Sequence, residues 1–312
     1  MTGTSISRRR ALVLLAASAG LAACGRDGRA ILKVASQKGG TKALMLSSGA
    51  LDGADYDVEW SEFPAAQNLL EAVGSGAVDV GLAGDAPFQF AYQSGSPVRA
   101  VSAQRAEPRP REAIGVVVPG ASPARTMTDL RGKQVATTRG SIGHYLALRA
   151  IETAGLPPDS VRFVFLSPGD AKAAFSSGAV DAWAVWVPYL TTAIQEGGRV
   201  IADGRDLTVG YGFDVANDTA IATNRALLVD FLRREGDALR WAAAHPDAYA
   251  RVLAAETGLP PAIARIMVDK NRRLPVPIDA RVVADQQIVL DTLRRAGLIR
   301  RPRSIDEAFR AI

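Results

Sequence analysis

"LKVASQKGGTKALML" (Leu32–Leu46) and "KQVATTRGSIGHYLAL" (Lys133–Leu148) are one phrase written twice. Each copy starts with an apolar, β-prone run. It then passes a basic residue (Lys38, Arg139) and a glycine (Gly39, Gly140), and opens a helix on a small residue. The copies are offset by 101 residues, and "SGAVD" recurs at Ser75–Asp79 and Ser177–Asp181 with an offset of 102. In each "SGAVD" the glycine suits a helix stop and Val-Asp leads into the next strand. Two identities in the same order at nearly the same spacing imply two lobes, each a βαβ-type unit with parallel strands. In open α/β sheets ligands sit beyond the carboxyl ends of the strands, where both strand-to-helix loops fall. Lobes that face each other present two helix N-termini to one cleft. The competing arrangement is two tandem domains with unrelated surfaces.

Working outward, "AIGVVVPG" (Ala113–Gly120) reads as a strand leaving the first lobe and "DVANDTAIATN" (Asp214–Asn224) as one returning to it. This divides the chain into residues 31–116 and 214–312 for lobe 1 and 117–213 for lobe 2. Three amphipathic helices are predicted near Ala226–Ala244, Pro261–Val268 and Ala280–Ala296, punctuated by Gly258, Pro260-Pro261, Pro275 and Pro277.

The chain of 312 residues is 48% hydrophobic and 22% charged, the composition of a folded protein of one or two lobes. Its formal charge of +5 includes Arg8, Arg9 and Arg10; without the first 23 residues, 34 basic face 32 acidic residues. These are interspersed, so the charge gives no case for nucleic acid. "SRRRALVLLAASAGLAAC" has a basic start and an apolar run, Ala11–Ala23, too short to span a bilayer of roughly 30 Å. Residues 1–23 therefore read as an export signal, and 24–30 as an anchor and linker. Ser7-Arg8-Arg9 with Leu12 resembles the twin-arginine export motif, and "LAAC" (Leu21–Cys24) resembles a bacterial lipobox with Cys24 as lipid attachment. Cys24 is the sole cysteine, so an intrachain disulfide is excluded.

"TTRGSIGHY" offers a helix N-terminus whose first N–H groups lack partners and carry partial positive charge. Gly140 and Gly143 allow close backbone approach, and Ser141 caps the helix or donates its hydroxyl. The corresponding set in the first copy is Gln37, Gly39, Gly40 and Thr41. Both suit a monoanion with several oxygens. His144, in the first helical turn, reads as a neutral donor or structural residue; with no Ser or Cys nucleophile elbow, no catalytic triad is assembled around it. No His/Cys/Asp cluster has metal-ligand spacing, and the P-loop Lys-Ser/Thr pair is absent, so no cofactor is expected. Gly84 and Asp85 end a strand before Pro87, as cleft residues or as an ordinary helix start. Trp183 and Trp186 fall on opposite strand faces, one for the core and one for a pocket, and the pattern does not choose between them.

"ASQKGG", "EFPAAQNLLEAVGSGAVDVGLAGDAP", "LRGKQVATTRGSIGHYLALRAI", "LSPGDAKAAFSSGAVDAWAVWVPY" and "GGRVIADGRDL" resemble, in order, segments of the solute-binding proteins of ABC importers for aliphatic sulfonates, taurine and nitrate, above all the aliphatic-sulfonate branch. The resemblance implies an α/β, two-lobe periplasmic-binding-protein fold (type II), each lobe a mostly parallel sheet flanked by helices, with two crossover strands. It implies a monomer that closes on a small anion and delivers it to a membrane permease powered by a separate ATPase. It places ligand contacts on Gln37, Gly39, Gly84, Asp85, Ser141, Gly143 and His144, with Trp183 lining the tail pocket. Arg139, Gly140, Gly40 and Thr41 complete the expected set from the loop reading. Where the family usually has Asp, this chain has Val187, which argues against a ligand amine unless the position is merely repacked. Taurine, nitrate or a thiamine-type pyrimidine remain alternative ligands. A vitamin-pyrimidine-forming enzyme of the same fold and a sensor subunit remain alternative roles. With neutral donors alone, binding is expected to be flat between about pH 6 and 8, across a phosphomonoester's second ionisation.

Overall fold

The computed structural model describes residues 28–106 and 108–312. The export signal, the lipobox and Cys24 lie outside the described residues. The chain first lays down β1 (Ala30–Gln37), α1 (Thr41–Ser48), β2 (Tyr56–Phe63), α2 (Ala66–Gly74), β3 (Val80–Gly84), α3 (Asp85–Gln93) and β4 (Val98–Arg105). It crosses over and builds β5 (Ile114–Val118), β6 (Gln134–Thr137), α4 (Ile142–Thr153), β7 (Arg162–Phe165), α5 (Pro168–Ser176), β8 (Ala182–Trp186), α6 (Tyr189–Gln195), β9 (Arg199–Asp203) and α7 (Gly204–Leu207). It returns through β10 (Tyr211–Asn217), α8 (Asp218–Thr223), α9 (Arg225–Ala244), α10 (Pro246–Thr257), α11 (Pro261–Lys270), β11 (Leu274–Val276) and α12 (Ala280–Arg295).

The duplication is visible in the sheets. The first runs β11-β4-β10-β3-β1-β2 and the second β7-β6-β8-β5-β9. In each, three parallel strands meet one strand running against them, β10 in the first and β5 in the second, followed by β4 or β9. The sheets are thus mixed, with one reversed strand apiece besides the short edge strand β11. The reversed strands are the ones that arrive from the other lobe. Sequence expectation put β5 partly in lobe 1 and started the return at Asp214. The structure places all of β5 in the second sheet and all of β10 in the first, so the boundaries at 116/117 and 213/214 cut through strands. An apolar strand reads the same whichever sheet receives it.

The repeated "SGAVD" has a physical basis. Gly76 and Gly178 take left-handed φ values of 78° and 74°, and the N–H of Ala77 and of Ala179 returns to Ala72 O and Ala174 O, ending α2 and α5. The following aspartates then tie each new strand to its neighbour. Asp79 Oδ2 accepts the Lys33 N–H and Asp181 Oδ2 the Gln134 N–H, both at 2.8 Å. Both faces of each sheet are covered by apolar side chains, and every residue of β10 is buried.

The C-terminal helices number four, not three. Pro246 breaks the run after Ala244 yet sits in the first turn of α10, so "PDAYARVLAAET" is a separate helix. One side of the junction between the lobes is an apolar cluster, in which Tyr145 and Leu148 of α4 meet Ala86 of α3 and Val289, Leu290 and Leu293 of α12. Arg295 to Glu152, at 2.7 Å, adds an ion pair across it.

Candidate ligand-binding cleft

Loops from both lobes line one cavity of about 540 Å³. Gln37, Gly39, Gly40 and Thr41 reach it from the turn after β1, Gly84 and Asp85 from the end of β3, and Ser141 from the turn before α4. At the first turn, Lys42 N–H is taken by Ser36 Oγ (3.2 Å) and the Thr41 hydroxyl donates to buried Glu235 Oε1 (3.1 Å). At the second, the N–H groups of Gly140, Ser141 and His144 go to His144 Nδ1 (3.2 Å), Thr138 O (3.0 Å) and Ser141 Oγ (3.1 Å). Among the described residues no acceptor takes the N–H of Thr41 or of Ile142. The amide cradle is therefore narrower than the motif suggested, because the N–H groups of Lys42, Gly140, Ser141 and His144 are taken within the turns.

Arg139, Gly140, Gly143, His144 and Trp183 do not line the cavity. His144 is 1% exposed, with its ring edge-on to Phe163 and Phe165 at 4.8 and 5.0 Å. Its Nδ1 accepts from Gly140, which puts the proton on Nε2. Burial, aided by the Arg139 charge, pulls its pKa down to about 4. It is a neutral prop beneath the turn. Arg139 is exposed and lies over Phe165 at 5.2 Å. Gly140, at φ +70°, has the Phe90 ring of lobe 1 where a Cβ would stand (2.4 Å). Gly143 lets α4 approach the Ala184 carbonyl, 2.4 Å from a Cβ site. Trp183 is 2% exposed and packs with Phe175 and Tyr189; Trp186 is the one that lines the cleft. Alternation separated the two tryptophans but gave no sign of which sheet face meets the other lobe.

Asp85 lines the cavity but both its oxygens are used: Oδ1 accepts the Ala86 N–H (2.7 Å) and Oδ2 the Tyr211 N–H (3.0 Å). Burial raises its pKa, and those two bonds with the Arg273 charge oppose the rise. It pins β10 to the start of α3. Val187 is 3% exposed and packs with Ala43, Leu253, Ala264, Met267 and Val268, so this lobe 2 residue is seated among lobe 1 side chains.

Sequence reasoning missed the cations. Lys38, Arg109, Arg205, Lys270, Arg272 and Arg273 line the cavity against two acids, Asp85 and Asp269. A purely neutral donor set is replaced by a cationic cleft. Helices α9 to α11 add apolar lining, with Leu239, Tyr249, Leu253 and Met267. Apart from Lys38, which sits in the first repeated loop, nothing in the local sequence marks these positions, because tertiary packing brings them to the mouth.

Two mixed α/β lobes enclosing a charged cleft at the strand ends define a bilobal solute-binding protein class. The chain belongs to the NMT1/THI5-like family, whose model matches residues 52–249. An Escherichia coli K12 protein named for binding aliphatic sulfonates is 34% identical over 280 residues, 88% of this chain and 86% of that protein. The crystal structure of the periplasmic aliphatic sulphonate binding protein SsuA from Escherichia coli superposes with a TM-score of 0.79 at 32% identity, covering 90% of this chain and 92% of that one. The alkanesulfonate-binding protein SsuA from Xanthomonas axonopodis pv. citri, bound to MOPS, gives 0.83 at 29% identity over 90% and 98%. The fold also occurs in the desulfurization enzyme DSZB, at 18% identity and a TM-score of 0.66.

Proposed function

We propose that this protein is the extracytoplasmic solute-binding component of an ABC importer, which captures an aliphatic sulfonate or related organosulfur anion between its lobes and delivers it to the permease. The observation that carries this reading is the lining of the cleft, which combines six cations against two acids with apolar side chains of the C-terminal helices. Such a surface matches an anionic head on an apolar tail. A sulfonate keeps its single charge at every physiological pH, and its three oxygens suit guanidinium and amide donors. The volume of about 540 Å³ falls in the range of roughly 300–1,000 Å³ typical of organic ligands. The named likenesses of the relatives support the same class of ligand.

The contacts we assign are the side chains of Gln37 and Ser141 with the backbone of Gly39, Gly40, Thr41 and Gly84, and Trp186 in place of Trp183. The role is binding, not catalysis. The chain has one cysteine, Cys24, and two histidines, and neither histidine lines the cleft. We further propose export through the N-terminal signal, lipid attachment at Cys24 and action as a monomer at the outer face of the cytoplasmic membrane or in the periplasm.

The test is titration calorimetry and thermal shift of the mature protein with alkanesulfonates of increasing length, sulfate esters, taurine, nitrate and pyrimidines. At 100 times its dissociation constant a ligand adds about 2.7 kcal/mol to stability. Each methylene laid on the apolar lining adds about 0.8 kcal/mol, close to fourfold in affinity. Silence from every sulfur compound beside a clear response to nitrate or a pyrimidine overturns the assignment.

A further inference from the structure

We propose that Arg273 is the residue that grips the ligand's anionic group and imposes the need for a formal negative charge, a role that rests on reading the cleft as an organic-anion site. β11 pairs antiparallel with β4, Leu274 opposite Arg105, so Arg273 emerges just beyond the end of the sheet. Its Nη1 lies 3.6 Å from the space a Cβ would take on Gly212, which is paired with Gly84 and Gln104. Gly84, Gln104, Asp85 and Leu82, whose carbonyl accepts the Gln37 amide (3.4 Å), line the same cavity as Arg273.

The other cleft cations are occupied or wet. Arg109 donates to the Thr208 carbonyl, Arg205 to the Arg109 carbonyl at 2.9 Å, and Lys270 to the Arg111 carbonyl. Lys38 and Arg272 are exposed to solvent. Arg273 differs from all of them. Among the described residues no hydrogen bond or ion pair holds it, and its Nε is buried without an acceptor. Asp85 acts on it only through space, since both Asp85 oxygens face backbone N–H groups. Burial accordingly pulls the Arg273 pKa down. Arg273 is half-buried, and a guanidinium whose Nε is withdrawn from water without an acceptor lowers the stability of the protein that carries it. The arrangement makes sense when a ligand brings the oxygens. The planar fork meets two oxygens of a sulfonate side by side, a geometry an ammonium does not offer.

A plain structural role, as counter-charge to Asp85, predicts the opposite energetics, and the two are separable. The experiment measures octanesulfonate binding by calorimetry and ligand-free melting for wild type, Arg273→Met and Arg273→Lys, with octyl methyl sulfone as an uncharged probe. The expected result is at least a tenfold loss of octanesulfonate affinity in Arg273→Met, the yield of one charge-assisted bond. Arg273→Lys falls between, the sulfone binds all three alike, and the ligand-free Arg273→Met melts no lower than wild type. Octanesulfonate binding within threefold of wild type in Arg273→Met overturns the proposal. So does a ligand-free melting point lowered by several degrees with sulfone binding lost in parallel. A wild type that binds no sulfonate fails the functional reading itself, a result distinct from either.

Discussion

Acidification should unlock the second-lobe turn through His144. The imidazole is buried and neutral, its pKa lowered from 6.5 to about 4. Below pH 6.5 the unfolded chain binds a proton that the folded chain refuses, so stability is whole above 6.5 and falls as pH drops towards 4. Between 6.5 and about 4, at 1.36 kcal/mol per pH unit, the loss amounts to about 3 kcal/mol. The perturbation that isolates this is His144→Asn, whose Oδ1 keeps an acceptor for the Gly140 N–H. Losing the ring between Phe163 and Phe165 lowers stability by an amount independent of pH. Urea unfolding of both proteins from pH 4 to 8 gives the difference between them. That difference should be constant above pH 6.5 and shrink by about 3 kcal/mol on descending to pH 4. Parallel curves would refute the buried, neutral histidine, and with it the account of how the turn is held.

Two further outcomes follow from groups near the cleft. Glu235 is buried beside Asp214, and burial, then the Asp214 charge, raises its pKa well above 4.5. The folded chain thus holds a proton that the unfolded chain has released, and stability falls as pH rises above 4.5. Glu235→Gln keeps an acceptor for the Thr41 hydroxyl and should flatten that decline, which runs at up to about 1.4 kcal/mol per pH unit; an unchanged slope in pH-dependent unfolding counts against a shared proton. Val187→Asp places a carboxylate among Ala43, Leu253 and Met267, at a cost of about 3–5 kcal/mol while it stays buried. The variant should melt lower and scatter X-rays as a more open particle without gaining taurine affinity; an unaltered melting point and radius of gyration would show that the seam is not packed as described.

The opening duplication was legible because its chemistry is local. A glycine that must turn left-handed, a helix that must end, and an aspartate that must meet the amide of the neighbouring strand leave marks within a few residues of each other. From those marks came two lobes, parallel units and two loops that do line one cavity. His144 shows the limit. Its position at a helix start was plain, yet the sequence has no sign that Phe163 and Phe165 close over it and turn it from the cleft. Sheet membership of β5 and the choice between Trp183 and Trp186 failed for the same reason, since an alternating strand names two faces but not what covers each.

What the sequence determined by itself was the repeating architecture and the place of the loops, because backbone conformation and capping depend on near neighbours. Which groups face the cleft was set by contacts between distant parts of the chain. Arg273 reaches it through β11 lying against β4, a pairing of residues some 170 positions apart, and Val187 is buried by helices that the chain adds last. Charge exposure and desolvation are properties of that assembled surface, and no short stretch of residues encodes them.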